Sequence, residues 1–73
     1  MSPDELIAAF AAELGVEAPD PATVEVLLDL AGTAAHASER TAAPIACYLV
    51  GLAGASPAGA GRLAESIAPP DTD

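Results

Sequence analysis

The polar side chains that could do chemistry lie mainly on one predicted helical stripe in the middle of the chain. Counted from Asp29, the residues Thr33, His36 and Arg40 follow at four, seven and eleven positions, so on a helix they share one side. Glu39, the neighbour of Arg40, brings a second carboxylate to the same end. We call Asp29, Thr33, His36, Glu39 and Arg40 the polar stripe. Such a stripe on an alanine-rich helix faces water, ties helices together or meets a partner.

The chemistry open to the polar stripe is proton handling or recognition. A histidine oriented by a carboxylate can act as an acid or base near neutral pH, and His36 is the only histidine of the chain. No serine or cysteine is placed to serve His36 as a nucleophile. We therefore predict no catalytic residue and no enzyme activity. Two interpretations stay open: a structural network in which Arg40 pairs with Asp29 or Glu39, and a surface that binds another protein.

Metal and cofactor sites are not predicted either. A zinc site needs about four suitable ligands, and the chain has one histidine and one cysteine, Cys47. Cys47 is expected to pack as a small apolar residue. The glycine-rich stretch from Gly54 to Gly61 contains no lysine and follows no predicted strand, so it matches neither a nucleotide nor a dinucleotide phosphate loop.

Composition and charge narrow the class of protein. The 73 residues carry a formal charge of −9, with two arginines and no lysine. Nucleic acids and anionic membranes are bound by clustered cations, so neither is an expected partner. The single cysteine excludes an internal disulfide and fits a reducing compartment, and neither a signal peptide nor a bilayer-spanning run is visible. We therefore expect a cytoplasmic protein.

Alanine and leucine dominate, aromatic residues are 3% of the chain, and helix-start signals recur, which together predict an all-α bundle. Ser2-Pro3, Asp20-Pro21 and Ser56-Pro57 each combine a capping side chain with proline at the first helical position. Glycines at 15 and 54 are typical left-handed helix ends. The predicted helices are 3–14, 21–38, 44–53 and a short, sparsely apolar 57–67. Residues 1–68 form one predicted domain and 69–73 a disordered tail.

The second helix has two apolar faces beside the polar stripe, so we expect it to be central and packed on both sides. With few large side chains in a chain this short, we expect marginal stability or support from a partner or a second copy. Large apolar residues at helical spacing are expected to build the core. This predicted core comprises Phe10, Leu14, Leu27, Leu28, Ala31, Ile45, Tyr48, Leu49 and Leu52.

Several short segments resemble a small actinobacterial domain family of unknown function. They are Leu28-Asp29-Leu30-Ala31, Ala35-His36, Glu39-Arg40, Ala42-Ala43-Pro44 and Tyr48-Leu49-Val50-Gly51-Leu52, together with Ala12-Glu13-Leu14-Gly15 at the end of the first helix. Members of that family occur alone and as a C-terminal extension of molybdenum cofactor guanylyltransferases, the enzymes that make molybdopterin guanine dinucleotide.

The resemblance implies a link to molybdenum cofactor biosynthesis or to the maturation of molybdoenzymes such as formate dehydrogenase. It does not imply the transferase activity, which belongs to a nucleotide-binding domain with features that this chain lacks. We therefore expect a non-catalytic accessory or protein-interaction module, with a guanylyltransferase or a molybdoenzyme as the partner. The alternative is a structural module that self-associates, as a homodimer for example, and has no link to the cofactor.

Overall fold

The computed structural model describes residues 1–68, and within this range it contains four α-helices and no strand. The all-α prediction is therefore confirmed. The predicted disordered tail, 69–73, lies outside the described residues. The helices are α1 (Pro3–Leu14), α2 (Pro21–Ala37), α3 (Ala42–Ala53) and α4 (Pro57–Ile67).

Three of the four helices begin where a capping side chain precedes a proline. Ser2 Oγ accepts a hydrogen bond from the Glu5 amide, and the Glu5 side chain accepts one from the Ser2 amide, which completes a capping box. Asp20 caps α2 by accepting from the amide of Thr23 at 2.8 Å. Ser56 caps α4 by accepting from the amide of Gly59 at 3.1 Å. These three starts agree with the sequence prediction.

The junction between α2 and α3 differs from the prediction by one or two residues. Helix α2 ends at Ala37, one residue early, because Ser38 leaves the helical conformation at φ −142° and ψ −97°. Helix α3 begins at Ala42 rather than Pro44, since the carbonyls of Glu39 and Arg40 accept from the amides of the two alanines at 42 and 43. Proline is compatible with the first turn of α3 because an amide in a first turn has no carbonyl partner within the helix.

Helix α2 is the centre of the fold, as its two apolar faces predicted. It packs against both α3 and α4. Leu30 is the most deeply buried side chain, at 3% exposure, and Ala11 and Ala60 are the other buried apolar residues. Leu30 was not among the predicted core residues, although it lies near the middle of the helix that packs against both α3 and α4.

The predicted core is largely wrong, because the helices meet through their small residues. On α3, the half-buried side carries Ala43, Ala46, Cys47 and Val50 at helical spacing. On α4, glycine and alanine take the corresponding positions, with Ala60 fully buried. Small side chains let two helix backbones approach closely, and the larger ones are left outside. Of the nine predicted core residues, Leu27 and Ala31 are half-buried and the other seven are exposed.

Helix α1 stands apart from this three-helix unit. It has no packing with another helix comparable to the contacts of α2 with α3 and α4. The molecule is accordingly elongated, with extents of 42 × 26 × 20 Å and a radius of gyration of 13.2 Å. A compact chain of this length would have a radius of gyration of about 11 Å. Ala11 is the one buried residue of α1, and the large apolar side chains of this helix remain about half or more exposed.

Candidate functional site

The polar stripe lies on the outside of the fold. Asp29, His36, Glu39 and Arg40 are exposed, and Thr33 is half-buried. Thr33 Oγ1 donates a hydrogen bond to the backbone carbonyl of Asp29 at 3.1 Å. This is a local bond along the helix and orients no other member of the stripe.

Arg40 was expected to pair with Asp29 or Glu39. Among residues 1–68, no side-chain hydrogen bond joins Arg40 to either carboxylate. The six side-chain hydrogen bonds of this range are helix caps or return to the backbone of the same helix. Glu39 and Arg40 shape the turn into α3 through their main-chain carbonyls instead. Of the five stripe residues, Asp29, Thr33 and His36 lie on α2, whereas Glu39 and Arg40 lie in the turn after it, where the helical spacing no longer applies. The structure does not join them into a hydrogen-bonded network.

The more extensive feature is an apolar surface on α3 that was assigned to the core from sequence. Ile45, Tyr48, Leu49 and Leu52 recur every three or four residues and are 55–69% exposed. We call these four residues the outer face of α3. A signal for its orientation was present in the sequence, because the opposite side of α3 carries the small residues that suit close helix packing. We expected large apolar residues to face inward, and the orientation of α3 was therefore predicted wrongly.

A second apolar surface lies on α1. Leu6, Ile7, Phe10 and Leu14 follow helical spacing and are 45–67% exposed. We call these four residues the apolar face of α1. The carboxylates of Asp4, Glu5 and Glu13 are carried by the same helix, so α1 is acidic as well as amphipathic.

An open groove of about 420 Å³ continues from the outer face of α3 to α4. Its walls are almost entirely apolar, and small residues of α4 form part of the lining, which lets a neighbouring chain approach closely. Apolar walls of this kind suit another protein's side chains better than a polar small molecule. The lining residues are Leu49, Val50, Ala53, Ala55, Ser56, Gly59, Ala60 and Leu63.

The charges around these surfaces are unevenly distributed. Helix α3 contains no charged residue, and the two basic residues of the chain lie in the turn before it and on the neighbouring helix α4. Arg40 is two residues before the first residue of α3. Arg62 lies on α4 beside the groove, where its Nη2 would be 3.9 Å from a Cβ placed on Gly59. The neutral helix α3 thus follows a turn that carries one acidic and one basic residue, Glu39 and Arg40, and Arg62 lies beside the groove on α4.

Other chemical features of the described part are few. Between residues 1 and 68, no three histidine, cysteine or acidic side chains lie close enough together to hold a metal ion. Cys47 is a free, half-buried thiol. None of the four helices described has both the length and the apolarity needed to cross a bilayer.

Comparison with known proteins gives a family but no characterised relative. Neither the curated proteins nor the solved structures include one that matches the chain. A family model, described as a domain of unknown function (DUF6457), matches residues 2–70 and so takes in all four helices, the polar stripe and both apolar faces. The chain belongs to the DUF6457 family.

Proposed function

We propose that this chain is a non-catalytic protein-interaction module. The observation that supports the proposal is the outward orientation of its large apolar side chains, on α1 and α3 above all. A soluble monomer rarely exposes contiguous apolar patches of more than a few hundred Å², and larger ones mark interaction sites. The interior of the fold consists of Leu30 and of half-buried small or medium residues such as Cys47 and Val50, so most of the large side chains are available for contact with another protein.

The total accessible surface agrees with this interpretation. It is 5699 Å², whereas a compact monomer of 7.1 kDa would expose about 4,100 Å². The excess is roughly 1,600 Å², about twice the roughly 800 Å² that one partner buries in a protein–protein interface of standard size. A partner could therefore cover apolar surface that the chain does not cover itself.

The resemblance described above supports a particular partner, a molybdenum cofactor guanylyltransferase or a molybdoenzyme. In this proposal the chain assists cofactor biosynthesis or molybdoenzyme maturation by binding one of these proteins. The competing candidate is a self-associating module without a cofactor link. It is supported by the presence, on one chain, of two apolar helix faces that each lack a partner.

A binding experiment with purified proteins tests the cofactor link. The chain is titrated calorimetrically into a guanylyltransferase and, separately, into a molybdoenzyme from the same organism. We expect saturable binding to one of them, weakened at least about tenfold by Leu52→Asp, because an anchor leucine contributes about 1.5–3 kcal/mol when buried. Leu28→Asp is the matched control, since Leu28 is as exposed as Leu52 (67% and 69%) but lies on α2. Absence of binding to both proteins would remove the cofactor link.

A further inference from the structure

We propose that the outer face of α3 and its adjoining groove hold helix α1 of a second copy, in a reciprocal homodimer. This inference rests on the proposed interaction function: it names a second copy as an occupant of the same apolar surface, which an enzyme partner would have to displace. Each copy would contribute one donor helix and one acceptor surface. A symmetric dimer of this type buries both apolar faces of both chains in two equivalent contacts.

The two surfaces match in length and in chemistry. Helices α1 and α3 are each 12 residues long, which corresponds to about 18 Å. Phe10 and Leu14 lie on the apolar face of α1, and Tyr48 and Leu52 on the outer face of α3. An amphipathic helix laid in an apolar groove is a common mode of protein recognition, with anchors at this three-to-four-residue spacing.

Charge favours α1 as the occupant. Helix α1 carries three carboxylates, at Asp4, Glu5 and Glu13, and no basic residue. None of the residues that line the groove is acidic, and Arg62 lies beside it, so a carboxylate of α1 can pair there with one of the two basic residues of the chain. Two chains of charge −9 repel each other at a distance, but at physiological ionic strength exposed charges are screened beyond about 8 Å.

The available area is sufficient for a stable pair. Each partner in a standard interface buries about 800 Å². The exposed surface of one chain exceeds that of a compact monomer by roughly 1,600 Å², since it amounts to 5699 Å². A dimer that covers half of this excess on each copy already reaches the standard size.

Sedimentation equilibrium of the purified chain tests the proposal. We expect a dimer, with twice the chain mass of 7.1 kDa, that dissociates on dilution. Phe10→Asp, on the donor face, and Leu49→Asp, on the acceptor face, should each raise the dissociation constant at least tenfold, while Leu28→Asp should leave it unchanged. An equimolar mixture of the Phe10→Asp and Leu49→Asp chains should recover dimers, because one of the two contacts then joins an intact α1 to an intact α3.

Two measurements on the unmodified chain keep the test independent of how the variants fold. Tyr48 is the only tyrosine and there is no tryptophan, so its fluorescence should become less accessible to a soluble quencher as concentration rises. Hydrogen exchange should slow in α1 and α3 over the same concentration range. A chain that is monomeric at every concentration overturns the proposal, and so does a dimer that Leu28→Asp breaks and Phe10→Asp does not.

A third result would also overturn the inference. If the chain is monomeric, yet Phe10→Asp exposes Tyr48 to quencher, then α1 covers α3 within one molecule. A monomer that still binds the guanylyltransferase would overturn the homodimer and leave the proposed function standing. The two proposals can therefore fail separately.

Discussion

Leu28 and Leu30 lie two residues apart on α2, yet Leu28 is 67% exposed and Leu30 only 3%. The difference follows from the position of α2 between α3 and α4, because a step of two residues turns a side chain by more than half a helical turn. Leu30 therefore points into the junction of the three helices, and Leu28 points out of it.

Truncation of these two leucines should have very different effects. Leu30→Ala should lower the free energy of unfolding by about 2–5 kcal/mol, through lost burial and the cavity that remains. Leu28→Ala should change it by less than about 0.5 kcal/mol, as is usual for exposed positions. Urea denaturation followed by circular dichroism measures both. Equal losses for the two variants would contradict the packing described here.

Two glycines of α4 provide a matched pair that tests the cap at Ser56. A Cβ on Gly61 would meet no atom within 4 Å, so Gly61→Ala should stabilise the chain by about 0.5–1 kcal/mol through helix propensity. A Cβ on Gly59 would lie 2.9 Å from Ser56 Oγ, the atom that accepts the Gly59 amide. Gly59→Ala should therefore stabilise less than Gly61→Ala. A thermal melt of each variant measures the difference, and a larger gain at 59 would show that Ser56 adapts without loss.

The caps of α1 and α2 should make the helices sensitive to acid. Hydrogen bonds from Ser2 lower the pKa of the Glu5 carboxyl, and those from Thr23 lower the pKa of Asp20. A lowered pKa means that the charged carboxylate stabilises the folded form. This contribution is complete above the pKa of the unfolded chain and is lost as pH falls through the lower folded value.

Helical circular dichroism should therefore decrease over the acid range below the ordinary carboxyl values of 4.5 for Glu5 and 3.8 for Asp20. Glu5→Gln should remove part of the pH dependence, whereas Glu13→Gln, outside the first turn of α1, should not. Helix content that rises uniformly with acid in all three proteins would mean that relief of charge repulsion outweighs the caps.

Two alanine substitutions test whether the polar stripe contributes to the stability of the fold or to binding. Since His36 and Arg40 are exposed and absent from the side-chain hydrogen bonds of residues 1–68, each alanine variant should change the unfolding free energy by less than about 0.5 kcal/mol. If the stripe is a recognition surface, binding to the guanylyltransferase should weaken in both variants, because both side chains are exposed near the end of α2. A fall in melting temperature without a change in binding would support a structural role instead.

Helix positions were predictable from the sequence because their signals are local. A capping side chain and a following proline act within one turn, and the starts of α1, α2 and α4 depend on nothing else. The start of α3 at Ala42 lacks a side-chain cap, so only Pro44 marked that region. The orientation of each helix was harder to predict from the sequence. Periodicity divides the residues of a helix into faces, but it does not show which face packs against a neighbouring helix. On α3 both sides are apolar, and the side with Ala43 and Val50 packs inward.

Helix α2 packs against small residues of α3 and α4. The positions that determine the fold are therefore different from the positions that are exposed for contact with other molecules. Substitutions at Phe10, Tyr48 or Leu52 would alter the surface with little effect on how the three-helix unit assembles. Enlarging Ala60 would instead force the helices apart. In this chain, therefore, the small apolar residues constrain the packing, and most of the large ones are free to change without disturbing it.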